Sequence, residues 1–245
     1  MEEGVMRGNV IYQRIGRRDL LKIGTAGAVA VGLGKIALPA IAADGPGTTL
    51  TPVEALAQLI SGNENFVSDP QLCSLQLEDQ RHAVAEHQAP WATIITCSDS
   101  RVPPELIFGG RGLGELFVAR NAGNLVDTAT LGTVEYGAAV LGSPLLVVMA
   151  HTSCGAVKAA CDVVTQNATF PGSIGPMIEP ILPAAIAVQN ETGDFANNTA
   201  MENARRTAGR VTEASSLIAG MVDEGTVKIV SAIYDLETGV VTYLD

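Results

Sequence analysis

Five apolar runs of strand length, set between helical patterns and turns, constrain the fold of this chain more than any other feature. The runs are ATIIT (92–96), ELFVAR (115–120), PLLVVMA (144–150), VKIVSAIYD (227–235) and VVTYLD (240–245). The third run is almost wholly apolar, which is typical of a strand that is covered on both faces. The last two runs are separated by Glu237-Thr238-Gly239, which predicts a hairpin and therefore an antiparallel fifth strand.

Helical patterns occupy the intervals between these runs. Thr51 can cap a helix over 50–68, Pro52 suits its first turn, and its apolar residues recur at helical spacing. Further helices are predicted over 75–88, 130–141, 155–165, 177–190 and 200–221, with a loop at 166–176. Because strands alternate with helices, the fold is predicted to be α/β, with a mainly parallel β-sheet core, an antiparallel edge strand and flanking helices.

Residues 1–42 differ from the rest of the chain. Arg17 and Arg18 precede a weakly apolar run that is rich in Gly and Ala, contains Lys35 and ends in Ala40-Ile41-Ala42. A membrane-spanning helix needs about 20 strongly apolar residues, which this run does not supply. The segment is interpreted as a twin-arginine signal cut after Ala42 or nearby, which predicts a periplasmic or otherwise exported domain over 43–245. The alternative is an uncleaved N-terminal membrane anchor.

The charge of the remaining chain argues against two anionic partners, nucleic acid and membrane lipid. Residues 1–42 hold six of the 15 Lys and Arg but three of the 26 Asp and Glu, so residues 43–245 hold 9 and 23, a formal net charge of −14. Such a surface repels nucleic acid and anionic lipid. We therefore expect no nucleic-acid partner, and no membrane partner once the signal is removed.

Four cysteines, Cys73, Cys97, Cys154 and Cys161, raise the question of disulfides. In an exported protein two disulfides are the first expectation. A domain of this size does not need them to hold a core, and a protein exported in its folded state can carry a thiolate metal site that is filled beforehand. Cys161 lies two helical turns after Cys154 and is expected to be a small buried residue. Cys73 has no assigned role.

Two short motifs, each at the end of a predicted strand, point to a metal centre. Cys97, Asp99 and Arg101 follow the first strand, and His151 and Cys154 follow the third. Ligands in open α/β sheets sit at the carboxyl ends of strands. Two thiolates and an imidazole suit zinc, and three protein ligands leave a fourth position open, as in catalytic sites. Either motif alone is weak, because H-x-x-C is often accidental and C-x-D-x-R can be a turn with a surface ion pair.

Other residues that resemble metal ligands or a phosphate-binding loop are not expected to have those roles. His82 and His87 lie in a polar stretch and are expected to be solvated rather than metal-bound. GGRGLG (109–114) lacks the Gly-Lys-Ser/Thr ending of a phosphate-binding loop and is interpreted as a turn into the second strand.

Five stretches together resemble the β-class carbonic anhydrases: CSDSRVPPELIF, GELFVARNAGN, EYGAAVLGSPLLVVMAHTSCGAV, ENARRT and IYDLETGVV. The resemblance covers most of 50–245. It implies that Cys97, His151 and Cys154 bind Zn²⁺ and that Asp99, paired with Arg101, is catalytic. The residues that it places at the substrate are Gln88, Phe117, Ala122, Tyr136 and Gly155. Ala122 is smaller than the residue that some family members carry there, which affects the shape of the pocket.

The resemblance also implies an activity and an assembly. Zinc-bound hydroxide would attack carbon dioxide and give bicarbonate and a proton, with Asp99 orienting the hydroxide and Arg101 keeping Asp99 ionised. The assembly would be a homodimer or homotetramer, with Gln88 reaching substrate across a subunit interface. Asp99 is also a possible fourth zinc ligand in a closed form. The rival functions are hydrolysis of carbon disulfide or carbonyl sulfide, and a non-catalytic zinc-binding or redox role, which would need neither Asp99 nor Arg101.

Overall fold

The five apolar runs pair into one sheet. The structure, a computed structural model, describes residues 47–69 and 77–244, so the interpretation of residues 1–42 and the position of Cys73 lie outside the described residues. The strands are β1 (Ala92–Cys97), β2 (Leu116–Asn121), β3 (Leu145–His151), β4 (Lys228–Tyr234) and β5 (Val241–Tyr243), in the order β2-β1-β3-β4-β5. Among the strand pairs of the described residues, only β4–β5 is antiparallel. The predicted fold class, a mainly parallel sheet with an antiparallel edge strand, is confirmed.

Strand β1 is the point at which the strand order reverses. It pairs with β2 on one side and with β3 on the other, and both pairings are parallel. The register sets Thr96 opposite Met149 and Cys97 opposite Asn121. The carboxyl ends of β1 and β3 therefore lie side by side, which is where an open α/β sheet forms its ligand crevice.

Helices cover both faces of the sheet. The first, α1 (Pro52–Ser68), begins with a capping box between Thr51 and Glu54, as the sequence predicts for Thr51. The others are α2 (Leu77–Ala83), α3 (Pro104–Ile107), α4 (Thr128–Glu135), α5 (Gly155–Gln166), α6 (Ile174–Ile178), α7 (Leu182–Val188), α8 (Phe195–Ala214) and α9 (Ser216–Asp223). No helix among the described ranges combines the length and the apolar character needed to cross a membrane.

Several helices differ from their predicted bounds, each for a local reason. The pattern over 177–190 is broken by a 3-10 turn at Glu179–Ile181, where Pro180 and Pro183 remove backbone donors. The pattern over 200–221 divides at Ser215, whose hydroxyl accepts the Ile218 amide and so caps α9. Within the described part of the stretch predicted as helix over 75–88, the helix is confined to α2, and α3 was not predicted.

A further difference lies near the start of β1, where Gly137 faces Thr93. The pattern over 130–141 begins as α4 but ends in a π-helical turn at Tyr136–Val140. Turns of this kind are rare and occur often at functional sites. This one presents Tyr136 at the surface, with 46% of its area exposed.

The core has two halves, one on each face of the sheet. Alternate residues of β3 point to opposite sides: Leu146 and Val148 pack with α5, α7 and α8, whereas Val147 and Met149 pack with α1. Every residue of β1 and β3 is buried, as expected for strands covered on both faces. The rigid sheet thus fixes the two strand ends that carry the motifs.

Candidate metal centre and active site

Cys97, His151 and Cys154 meet at the carboxyl edge of the sheet. Cys97 ends β1, His151 ends β3, and Cys154 is the N-cap residue of α5. Their candidate ligand atoms lie within 4.8 Å of one another, and the two Sγ atoms are 3.9 Å apart. All three side chains are buried, with 5%, 0% and 3% of their area exposed. Cys97 and Cys154, which are 57 residues apart in sequence, are therefore brought together with His151 as predicted.

The His151 ring is oriented for metal binding. Its Nδ1 lies 2.9 Å from the Thr152 carbonyl oxygen, which can only accept, so the tautomer that donates from Nδ1 leaves the Nε2 lone pair free for a metal. Nε2 is buried and has no hydrogen-bond partner among the described residues. A buried polar atom without a partner costs free energy unless a ligand satisfies it. The orphaned Nε2 atom beside two thiols fits a zinc ion.

The two thiols release their protons unequally. The pKa of Cys97 is lowered to about 4, first by the hydrogen bond from the Cys154 thiol and also by the bond from the Gly123 amide. The pKa of Cys154 is raised well above its usual range by its bond to Cys97 and by burial. One thiolate therefore forms readily, and a cation is needed to stabilise the second.

Asp99 and Arg101 form a tight pair beside the ligands. The Arg101 guanidinium donates to Asp99 Oδ1 at 2.9 Å and to Oδ2 at 2.7 Å, and the Arg101 amide donates to Oδ1 at 2.9 Å. These bonds hold the pKa of Asp99 well below its usual range. Asp99 Oδ2 lies 3.9 Å from His151 Nε2. With both of its oxygens bonded to Arg101, Asp99 presents an ionised acceptor at the edge of the ligand cluster rather than a further ligand.

Arg120 is a site residue that sequence reasoning missed. Its Nε donates to the Cys97 carbonyl at 2.9 Å, and its NH2 group donates to the Asp99 carbonyl at 2.6 Å. The side chain thus clamps the backbone of the loop that carries both residues. No pattern in the sequence indicates this role, because it depends on β2 lying beside β1.

A second missed group lies in the loop after β2. The Gly123 amide donates to Cys97 Sγ at 3.4 Å, and the Gly123 carbonyl accepts from the Asn203 side chain at 2.9 Å. Asn203 lies in ENARRT (202–207), one of the stretches that carry the family resemblance. The sequence did not indicate that its side chain binds the Gly123 carbonyl.

The residues expected at the substrate lie in different settings. Phe117, on β2, is half-buried with its ring centroid 6.1 Å from that of Tyr136. A Cβ on Gly137 would lie 3.0 Å from Phe117 Cδ1, so that glycine gives the ring its space. Ala122 is half-buried, and Gly155 is exposed at the start of α5. Gln88 is exposed in the irregular segment between α2 and β1.

The remaining cysteines and histidines behave as structural or surface residues. Cys161 is buried, and its thiol donates to Thr199 Oγ1 at 3.4 Å. Cys97, Cys154 and Cys161 are free thiols, so the first expectation of two disulfides does not hold for the cysteines that the structure describes. His82 and His87 are exposed, as predicted.

Comparisons with known proteins agree with this geometry. Residues 92–241 match the family model described as carbonic anhydrase. Carbonic anhydrase 2 of Mycobacterium tuberculosis is 35% identical over 188 residues, which cover 77% of this chain and 90% of that protein. The carbonic anhydrase of Mycolicibacterium smegmatis is 34% identical and covers 77% and 91%. Among solved structures, the Coccomyxa β-carbonic anhydrase in complex with acetazolamide is 26% identical, with a TM-score of 0.61 and coverage of 77% and 86%.

Proposed function

The chain belongs to the β-carbonic anhydrase family, and we infer that it catalyses the reversible hydration of carbon dioxide to bicarbonate and a proton. The observation that carries this conclusion is the cluster of Cys97, His151 and Cys154 with the Asp99–Arg101 pair beside it. A protein that only stored a metal would need the cluster but not the pair.

We propose that the metal is zinc, held by Cys97 Sγ, His151 Nε2 and Cys154 Sγ. Two thiolates and one imidazole suit this borderline-soft cation, and two negative ligands balance its charge. When bound, zinc supplies Lewis acidity that brings the pKa of a water ligand to about 7. Burial of the three ligands keeps bulk water away from their donor atoms.

The other residues of the site bind and orient. The Asp99 carboxylate stays ionised because Arg101 donates hydrogen bonds to both of its oxygens. An ionised carboxylate accepts hydrogen bonds but cannot donate one. Arg120 holds the backbone on which Asp99 and Cys97 sit. We propose that the Phe117 and Tyr136 rings, whose centroids lie 6.1 Å apart, supply an apolar wall for carbon dioxide, which is small, neutral and apolar. The expected roles of Ala122 and Gly155 in lining the substrate site are part of this proposal.

Metal analysis and kinetics test the assignment together. The purified protein should contain about one zinc per chain and should hydrate carbon dioxide in a stopped-flow assay. Replacement of Cys97, His151 or Cys154 by Ala should remove both the zinc and the activity. Cys161→Ala is the matched control, because that thiol is also buried but bonds Thr199, and it should keep both.

Two results would contradict the proposal. Zinc retained by a folded Cys154→Ala protein would contradict the assignment of Cys154 as a zinc ligand. Release of sulfide from carbon disulfide or carbonyl sulfide, without hydration of carbon dioxide, would instead assign the rival hydrolase activity to the same site.

We further propose that residues 1–42 direct export by the machinery for folded proteins, which would place the mature domain in the periplasm or otherwise outside the cytoplasm. The support is the Arg17-Arg18 pair, the weakly apolar run and Ala40-Ile41-Ala42. Arg17→Lys with Arg18→Lys should retain the precursor in the cell, whereas the control Arg7→Lys with Arg14→Lys should not. Normal export of the first variant contradicts the signal, and an uncleaved chain in the membrane fraction indicates an anchor.

A homodimer or homotetramer is also proposed. β2 lies at an edge of the sheet, and it carries the half-buried Phe117 next to the exposed ring of Tyr136. An apolar wall at an open sheet edge favours cover by a second chain.

A further inference from the structure

Asn203 stands out on the buried face of α8. That face is otherwise made of small, apolar or hydroxyl side chains: Thr199, Ala200, Ala204, Thr207 and Val211. Asn203 has 2% of its area exposed. A buried amide costs free energy unless it is hydrogen-bonded, so an Asn on a helix face of this kind is explained by the partner that it binds.

The partner of Asn203 lies 80 residues earlier in the chain. Its Nδ2 donates to the Gly123 carbonyl at 2.9 Å, in a bond that is itself buried. On the other side of the same residue, the Gly123 amide donates to Cys97 Sγ at 3.4 Å. Two bonds thus hold both backbone groups of Gly123, one to α8 and one to a proposed metal ligand.

The backbone at Gly123 is one that few other residues could adopt. Its φ is +84°, and Asn124 follows with a φ of 48°. A Cβ at position 123 would lie 2.7 Å from Ile181 Cδ1 and 3.5 Å from Ala156 Cβ. The chain therefore passes between α5 and the turn that holds Ile181 while it points an amide at the thiol.

Asn121 closes this loop but does not orient the Gly123 peptide. The Asn121 side chain accepts from the Leu125 amide at 2.7 Å and donates to the Leu125 carbonyl at 2.8 Å. These bonds join the two ends of the loop across Ala122, Gly123 and Asn124. Within the described part of the chain, the Asn203 bond is the one that reaches the Gly123 carbonyl from outside the loop, and so it sets the direction of the peptide groups inside.

We propose that Asn203 is a positioning residue of the metal centre. By holding the Gly123 carbonyl, Asn203 aims the Gly123 amide at Cys97 Sγ. The hydrogen bond from that amide then reduces the electron donation of the thiolate to the cation. The proposal rests on the proposed function, in which Cys97 is a zinc ligand. Hydrogen bonds from outside the ligand set tune the basicity of metal ligands. A thiolate that donates less charge leaves the cation more acidic, which favours hydration activity at lower pH.

Cobalt provides a readout that does not depend on activity. Co²⁺ in a thiolate site absorbs light through charge transfer from sulfur, and loss of a hydrogen bond to that sulfur moves the band to longer wavelength. Asn203→Leu removes the donor and keeps the position filled. We expect the band of the cobalt-substituted variant to move to longer wavelength than in wild type, at equal cobalt content.

The pH profile of the zinc enzyme provides the second readout. We expect the midpoint of the Asn203→Leu profile to rise by about one pH unit, so that the hydration rate falls about tenfold at neutral pH but is kept at high pH. Thr199→Val is the matched control, since Thr199 is buried one helical turn earlier and bonds Phe195 of its own helix. Both readouts should stay at the wild-type values in that variant.

The outcomes separate this inference from the proposed function. If wild-type protein bound Co²⁺ without a sulfur charge-transfer band, the metal assignment and the inference would both fall. If wild type showed the band and a folded, cobalt-replete Asn203→Leu protein matched it in band and midpoint, only the role of Asn203 would be refuted. Equal shifts in Thr199→Val would also refute it, because they would reflect general loosening of α8. Should the leucine variant not fold, Asn203→Ala decides by the same criteria.

Discussion

At the scale of single residues, Asp99 separates catalysis from metal binding. Asp99→Asn places an amide donor where an acceptor is needed and removes the charge that pairs with Arg101. Because Asp99 is outside the ligand cluster, the variant should keep its zinc but lose about a hundredfold in hydration rate. Asp127→Asn is the control: Asp127 caps α4, and Asn caps helices equally well. A zinc-replete Asp99→Asn protein with the wild-type rate would mean that Asp99 only shapes the turn after Cys97.

Gly123 adopts a left-handed backbone conformation, and its amide donates to Cys97, a proposed metal ligand. Gly123→Ala combines a left-handed backbone with a Cβ that contacts Ile181, and we expect it to lower the free energy of unfolding by about 2 kcal/mol or more. Ile181→Val removes the contacting Cδ1 atom and alone costs about 1 kcal/mol. In the double variant the contact part of the loss should be recovered and the backbone part should remain. Chemical denaturation of the four proteins of this cycle measures both parts, and strict additivity would show that the contact does not matter.

At the scale of elements, the turn between β4 and β5 depends on one charged side chain. Asp235 Oδ1 accepts from the amides of Glu237 and Thr238 and from the Thr238 hydroxyl, at 3.0, 2.7 and 2.9 Å. The amide and hydroxyl of Thr238, followed by the amide of Glu237, lower the pKa of Asp235. The charge therefore stabilises the folded state above the unfolded pKa of about 3.9, and that contribution is lost as the pH falls through the lower folded value.

Asp235→Asn tests this sign, because Asn keeps an acceptor but not the charge. The variant should be less stable than wild type at neutral pH by on the order of 0.5 kcal/mol, a small effect because the turn is solvent-accessible. The difference should shrink below about pH 4, as Asp235 becomes protonated in wild type. Urea denaturation at several pH values measures the difference in unfolding free energy between the two proteins. A difference that stays constant over this pH range would show that the charge of Asp235 is not its cause.

At the scale of the whole molecule, the proposed assembly makes each site depend on two chains. Cys154→Ala leaves Gln88 intact but removes the metal of its own chain, whereas Gln88→Ala keeps the metal but lacks the group expected to cross the interface. Each variant alone should have low activity. Unfolding and refolding an equal mixture should form hybrids with one intact site, which restore about a quarter of the wild-type rate in a dimer.

The mixing experiment has its own control. Refolding Cys154→Ala with wild type should give no more than the rate of the wild-type sites that remain. If the mixture of the two variants stayed as inactive as its components while native mass spectrometry showed mixed dimers, Gln88 would act within its own chain or not at all.

The sequence by itself determined the elements that depend on neighbouring residues. Alternating apolar runs and helical patterns predicted the parallel sheet with its antiparallel edge strand, and their ends placed Cys97, His151 and Cys154 at one edge. These features are legible because strand and helix periods, caps and strand ends depend on residues close together in the chain. Helix breaks such as Ser215 were missed, because one hydroxyl that caps the next helix interrupts an otherwise continuous pattern.

Only the tertiary structure decided which groups support the proposed metal ligands. Arg120 reaches the carbonyls of Cys97 and Asp99 because β2 pairs with β1, and Asn203 reaches Gly123 because α8 packs on the same half of the core. Both are bonds from a side chain to a distant backbone group. A backbone carbonyl has the same chemistry at every residue, so no local pattern records which one is to be held; that choice is made when the sheet and its helices pack together.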